Sequence, residues 1–302
     1  MKKRSRLLSI TLSAMLVMGS LVGCATEKTA EGSKKIGVVL STLNNPFFVS
    51  MKEGAEKKAK ELGYEVIVLD SQNDATKERA NVEDLVQQGV SVLIINPTDS
   101  DAVGNSIAVA NDSKIKVITV DRKANGGEVV SHVASDNVKG GEMAAAFILE
   151  KLNGKGNLVE LQGIPGASAT RDRGQGFHNI VDNKDGVKVV SSQAADFDRQ
   201  KGLTVTENII QATPAFDAIF AHNDEMALGA IKAIKTANKN VIIVGFDGND
   251  EAKAAVESGD LAATIAQKPD LMGAIAVENA IKIAKGETVE KEIPVELQLI
   301  KK

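Results

Sequence analysis

Tryptophan is absent from this chain, and tyrosine and cysteine occur once each, as Tyr64 and Cys24. A single cysteine excludes an intrachain disulfide framework. The three histidines, His132, His178 and His222, show no metal-ligand spacing and read as packing or surface residues. No Asp-x-Asp/Asn-x-Asp/Asn-Gly calcium loop occurs. Also missing are the Gly-x-x-x-x-Gly-Lys-Ser/Thr phosphate loop, the Gly-x-Ser-x-Gly elbow and a strand-linked Gly-x-Gly-x-x-Gly. Gly174-Gln175-Gly176 lacks the third glycine and follows a loop. These gaps argue against an enzyme, a cofactor and a metal. Lys and Arg total 36 against 40 Asp and Glu. With no Lys/Arg block after the first residues, nucleic acid is not expected as a partner.

The N-terminus reads as a targeting segment. Lys2, Lys3, Arg4 and Arg6 precede an apolar stretch, 7–22, that is short and interrupted by Ser and Gly. It ends in Leu21-Val22-Gly23-Cys24, which resembles the bacterial lipobox, where the Cys is lipidated and becomes the first mature residue. Residues 1–23 are then a lipoprotein signal peptide. Residues 24–33 are polar, small and aperiodic, a flexible tether between lipid and domain. Two acyl chains hold where one is marginal.

Beyond the tether, Val- and Ile-rich runs alternate with amphipathic segments. The runs lie at 36–40, 65–69, 90–95, 116–120, 129–133, 157–161, 187–190, 218–220, 241–245 and 262–265. Between them, 51–62, 75–88, 142–152 and 226–236 carry helical periodicity. Gly63, Gly89 and Gly154 stand as helix stops. Near-continuous apolar strands predict parallel sheets covered on both faces, a doubly wound α/β fold. Ten strands make one large sheet or two of about five. Polar stretches near 135–137, 267–269 and 294–296 are candidate crossings between two lobes.

In a parallel sheet every strand C-terminus lies on one edge, so the polar residues after the strands should converge on a cleft. Asn45, Phe47 and Phe48 follow the first strand. Asn96 follows the third, and Asp121 and Arg122 the fourth. Arg173, Phe197, Asn223, Asp247 and Gln267 come later. Two carboxylates and two guanidinium groups balance to zero. Balanced charge with amides suits a neutral polyhydroxyl ligand, whose hydroxyls both donate and accept. The Phe rings offer faces for its C–H surface. Taken singly, Asp121 or Asp247 reads as a helix N-cap, Asn96 before Pro97 as a turn, and Phe197 as core. Arg122 and Arg173 read singly as surface residues, and Arg171 competes with Arg173. The joint pattern is what points to a sugar.

The motifs Ser41–Ser50, Leu69–Asn73, Ile95–Asn105, Asp121-Arg122, Gly127–His132, Ala134–Asn137, Glu160–Gly163, Ala195–Arg199, Asn223–Ala230, Gly245–Gly248 and Leu261–Gln267 resemble the ribose-binding family of bacterial ABC importers, type I periplasmic binding proteins. The resemblance spans the whole body. It implies two doubly wound parallel-sheet lobes joined by three crossings, with ligand in the interlobe cleft. The first lobe is expected at 34–135 and 268–295, the second at 136–267 and 296–302. It further implies that Asn45, Phe47, Phe48, Asp121, Arg122, Arg173, Phe197, Asn223, Asp247 and Gln267 hold the sugar. Asn96 matches a further pocket-lining position, and the family pattern favours Arg173 over Arg171. The implied partners are D-ribose or a close monosaccharide such as allose, the permease subunits of an ABC transporter, and in some members a chemoreceptor. The protein would work as a monomer outside the cytoplasmic membrane, without a cofactor. Repressors that share this fold begin with a helix-turn-helix, where this chain carries the lipobox.

Overall fold

Alternation along the strands decides the layering. In β1 (Lys35–Leu40), Ile36, Val38 and Leu40 point into one apolar cluster and Val39 into another. Period-2 alternation therefore feeds two helix layers, one on each face of the sheet. The structure is a computed structural model describing residues 33–302 apart from 183 and 214. The leader, Cys24 and nearly all of the tether lie outside the described residues. No described helix is long and apolar enough to cross a membrane.

The first half builds α1 (Pro46–Leu62), β2 (Glu65–Asp70), α2 (Ala75–Gln87), β3 (Val92–Ile95), α3 (Val103–Asp112), β4 (Lys116–Val120) and β5 (Val129–Ser135). The next part repeats the pattern as α4 (Asn137–Lys151), β6 (Gly156–Gln162), α5 (Ser168–Val181), β7 (Val187–Ala194), α6 (Arg199–Ala212), β8 (Ala218–Ala221), α7 (Asp224–Thr236), β9 (Ile242–Asp247), α8 (Asp250–Ser258) and β10 (Ala263–Ala266). The chain ends with α9 (Pro269–Ala284), β11 (Glu292–Val295) and β12 (Gln298–Lys301). Two six-stranded sheets result, ordered β11-β5-β4-β3-β1-β2 and β12-β10-β9-β8-β6-β7. The chain changes lobe three times. It passes from β5 to α4, from β10 back to α9, and from β11 to β12, since α4 packs in a core of the second sheet and α9 in a core of the first.

Two elements differ from the sequence reading. β11 and β12 are short edge strands with little apolar signal, and in the sequence the segment of β11 reads only as a crossing. β12 runs antiparallel to β10, pairing Lys301 with Ala263, so the second sheet is parallel except at that edge. An edge strand needs to bury only part of its surface, which explains its weak pattern.

The helix starts aim the cleft residues. Pro46 occupies the first helical turn of α1, and the Asn45 side chain caps it by accepting from the Phe47 N–H at 2.9 Å. At the other end Gly63 takes φ +74° and closes the helix onto the Ala59 and Lys60 carbonyls.

Candidate functional site

Nine of the named residues line one small cavity between the sheets: Asn45, Phe47, Phe48, Asp121, Arg122, Arg173, Phe197, Asn223 and Asp247, with Ala169 beside them. The side chains leave only a narrow space between them, so the two halves of the lining lie close together in this arrangement. Ala169 was missed because a small apolar residue in a helix's first turn carries no chemical signal.

Both carboxylates sit on unusual backbone. Asp121 has φ 63° and Asp247 φ 117°, and neither caps a helix; α8 is capped by Asn249 instead. The single-residue N-cap reading thus does not hold for either. The two conformations turn the chain sharply at equivalent strand ends, β4 and β9, and both side chains are buried. Each carboxylate has a guanidinium of its own lobe nearby. Arg122 Nε lies 3.7 Å from Asp121 Oδ2, and Arg173 Nη1 lies 3.5 Å from Asp247 Oδ1. Burial pushes both carboxyls up, Asp121 against the pull of Arg122 and Asp247 against that of Arg173.

The rings complete the walls. Arg122 stacks between Phe48 of its own lobe and Phe197 of the other, 5.3 Å from each centroid. Phe47 meets Phe48 edge-on at 5.1 Å. Phe197 follows Asp196, and both take positive φ, a kink that turns the ring inward. Gly163 makes the space: a Cβ there would stand 2.0 Å from the Phe197 ring. Arg173 packs 3.8 Å from the Phe246 centroid and donates to Asn137 Oδ1 and to the His222 carbonyl. Arg171, in contrast, is exposed and bonds the Gly166 carbonyl.

Two named residues stand behind the wall. Asn96 is fully buried, accepts from the Ser41 N–H, and donates to the Val120 carbonyl and Asp121 Oδ2. It is spent on holding Asp121 and does not line the cavity. Gln267 donates to Asp247 Oδ1 at 2.9 Å and opens on the neighbouring groove at the crossing. Asp121 Oδ1, Arg122 Nε and Gln267 Oε1 are buried with no protein hydrogen-bond partner. Such atoms are costly unless something else satisfies them.

A periplasmic binding protein domain family matches residues 36–288. The chain belongs to that family. It is 54% identical to a ribose import binding protein of Haemophilus influenzae, over 94% of this chain and 97% of the relative. It is 52% identical to a ribose import binding protein of Bacillus subtilis, over 96% of both. Among solved structures, a solute-binding protein of an ABC transporter from Bacillus halodurans, with bound myo-inositol, superposes with TM-score 0.86 at 32% identity. That match covers 90% of this chain and 96% of that one. Membership makes the protein an extracytoplasmic solute-binding protein and not an enzyme.

Proposed function

We propose that this protein captures D-ribose in the cleft between its lobes and delivers it to the permease of an ABC importer. The observation that carries the reading is the lining itself, in which Phe47, Phe48 and Phe197 from the two lobes meet amides, carboxyls and guanidinium groups at one place. It matches one carboxyl with one guanidinium in each lobe, and two buried polar atoms of its lining residues, Asp121 Oδ1 and Arg122 Nε, have no protein hydrogen-bond partner. An anion would need spare positive charge and a cation spare negative charge. A polyol needs neither. The ribose import binding proteins that share more than half of this sequence support the choice of sugar.

Asn45, Phe47, Phe48, Asp121 and Arg122 come from one lobe, and Arg173, Phe197, Asn223 and Asp247 from the other. Neither half completes the site, so sugar binding and lobe closure are coupled: a ligand bridging the halves favours the closed form. Gln267 acts from the crossing by holding Asp247. The permease reads the closed shape, and in a motile host a chemoreceptor reads it too. Lipidation of Cys24 anchors the protein to the membrane surface.

Titration calorimetry with ribose, allose and galactose tests the ligand. Ribose should bind at least tenfold tighter than the other two, about 1.4 kcal/mol. Allose binding tighter than ribose would move the assignment to that hexose. Mass spectrometry of the protein from membranes tests the anchor; an unmodified Cys24 would overturn it.

A further inference from the structure

Glu160 is fully buried in β6 and is not among the residues that line the cavity. An isolated buried carboxylate is expensive, and its retention calls for a cluster of donors. Four side chains supply it. Glu160 Oε1 faces His222 Nε2 at 2.9 Å; Oε2 accepts from Gln162 Nε2 at 2.9 Å and from the Ser192 hydroxyl, with His178 Nε2 at 3.4 Å. Burial raises the carboxyl, but the hydrogen bonds from His222 and Ser192 help to outweigh it and hold Glu160 below the ordinary carboxylate range. His222 is also fully buried, and burial pulls its imidazole below the ordinary histidine value against the hydrogen bond and charge of Glu160. An ionised Glu160 therefore selects the tautomer with the proton on Nε2 and pins the ring.

What His222 does with its backbone links this cluster to the site. Its carbonyl accepts from Arg173 Nη1 at 2.6 Å, and the next residue is Asn223. Its own N–H is tied to the Leu161 carbonyl, one residue beyond Glu160. On the helix side, Gly174 follows Arg173 in α5, and a Cβ there would lie 3.2 Å from Glu160 Oε1 and 3.5 Å from His222 Cε1. The Glu160–His222 pair is thus packed against the turn of α5 that carries Arg173, and it sets the carbonyl to which Arg173 bonds.

We propose that Glu160 is a positioning residue for the sugar site, acting through His222 to hold Arg173 and Asn223 in binding geometry. This rests on Arg173 being a sugar contact. A Gln at 160 keeps only one acceptor oxygen, so its N–H2 must face either His222 Nε2, which reverses the ring's tautomer, or Ser192 and Gln162, which must then turn to accept. Either rearrangement weakens the bond that pins the His222 ring, and loosens the carbonyl at Arg173 with it.

The test is a double-mutant cycle on ribose binding. Glu160→Gln should weaken ribose about tenfold, mainly through a faster off-rate. In an Arg173→Ala background the same change should cost less than about twofold, because its target is gone. Fully additive losses, or no loss from Glu160→Gln, would overturn the proposal. A purely structural role would lower the sugar-free melting temperature and leave the losses additive. Should Glu160→Gln fail to fold, His222→Gln enters the same cycle with the same expectation, since it keeps the carbonyl and removes the pinned ring. If Arg173→Ala alone leaves ribose affinity unchanged, the sugar-contact reading fails first and the proposal falls with it.

Discussion

In the first lobe the site's carboxylate and guanidinium are neighbours on one turn, Asp121-Arg122. In the second they come from different elements, Arg173 from α5 and Asp247 from the end of β9. The supports differ in the same way. Arg122 donates to the Pro97 carbonyl and Asp121 accepts from Asn96, both at the end of β3 in its own sheet. Arg173 donates to Asn137 and Asp247 accepts from Gln267, and both partners sit where the chain changes lobe. The aromatic walls are also unmatched. The first lobe presents Phe47 and Phe48 at the start of α1, whereas the corresponding start of α5 carries Ala169 and Thr170, and the ring comes instead from Phe197 after β7. The lesson is that two copies of one topology have divided the work. One half of the site is supported from the edge of its own sheet, and the other from the crossings between the lobes.

The guanidinium groups give the strongest way to break this comparison. Among the described residues, only Arg122 stacks on rings of both lobes. Arg122→Ala strips Asp121 of its buried partner and removes the lobe-bridging stack, at a cost of about 3–5 kcal/mol in ribose affinity. Arg173→Ala should cost about 2 kcal/mol, the loss of a buried charge-assisted donor. Small-angle scattering of the sugar-saturated proteins should show Arg122→Ala shifted toward the open form and Arg173→Ala still closed. Equal losses with equal closure would erase the distinction.

The buried histidines sharpen it. His222 in the second lobe is pinned by a carboxylate. His132 in the first faces the Thr119 hydroxyl at 2.9 Å, and burial depresses it from 6.5 to about 4. The folded pKa lies below the unfolded one, so His132 contributes stability in full above pH 6.5. That contribution is lost as pH falls from about 6.5 to about 4, up to about 3 kcal/mol. His132→Gln should flatten the melting-temperature profile across that window relative to the parent. An unchanged slope would show that other groups set the acid limit.

Much of this was legible in the sequence because strand ends in a parallel sheet converge. Asn45, Phe47, Phe48, Asp121, Arg122, Arg173, Phe197, Asn223 and Asp247 carry chemistry at those ends, and the structure gathers them on one cavity. What escaped were residues whose role is spatial. Asn96 has the chemistry of a ligand contact, but both faces of its amide are consumed by backbone and Asp121. Ala169 has no chemistry to read. The Glu160–His222 pair joins strands distant in sequence, and a carboxylate within an apolar run does not announce its partner. β11 and β12 carry too few apolar residues for a strand pattern.

Gly163 shows how such a spatial role can be probed. The Phe197 ring occupies the volume that a side chain at Gly163 would fill. Gly163→Ala should therefore displace the ring from the second lobe's wall, costing about 2 kcal/mol of binding. Stability without sugar should change little. Because Phe197 also stacks on Arg122, the loss should shrink in Arg122→Ala. Undiminished loss there would mean the ring acts on the sugar alone.

The smallest expected effect lies where the lobes touch without the sugar. The Ser100 N–H donates to the Gly166 carbonyl at 3.0 Å, the Ser168 N–H to Ser100 Oγ at 3.1 Å, and the Lys123 N–H to Ser168 Oγ at 2.8 Å. These bonds join the loops after β3 and β4 to the loop before α5. They belong to the closed arrangement and to neither half of the cavity. Ser168→Ala deletes one of them and should cost about 1 kcal/mol of closure. Since no sugar atom is involved, every sugar that binds should weaken by the same factor, about fivefold, with the ribose-to-allose ratio intact. A change in that ratio would mean that the latch also shapes the pocket, and that the division between the two halves and their closing contacts is too sharp.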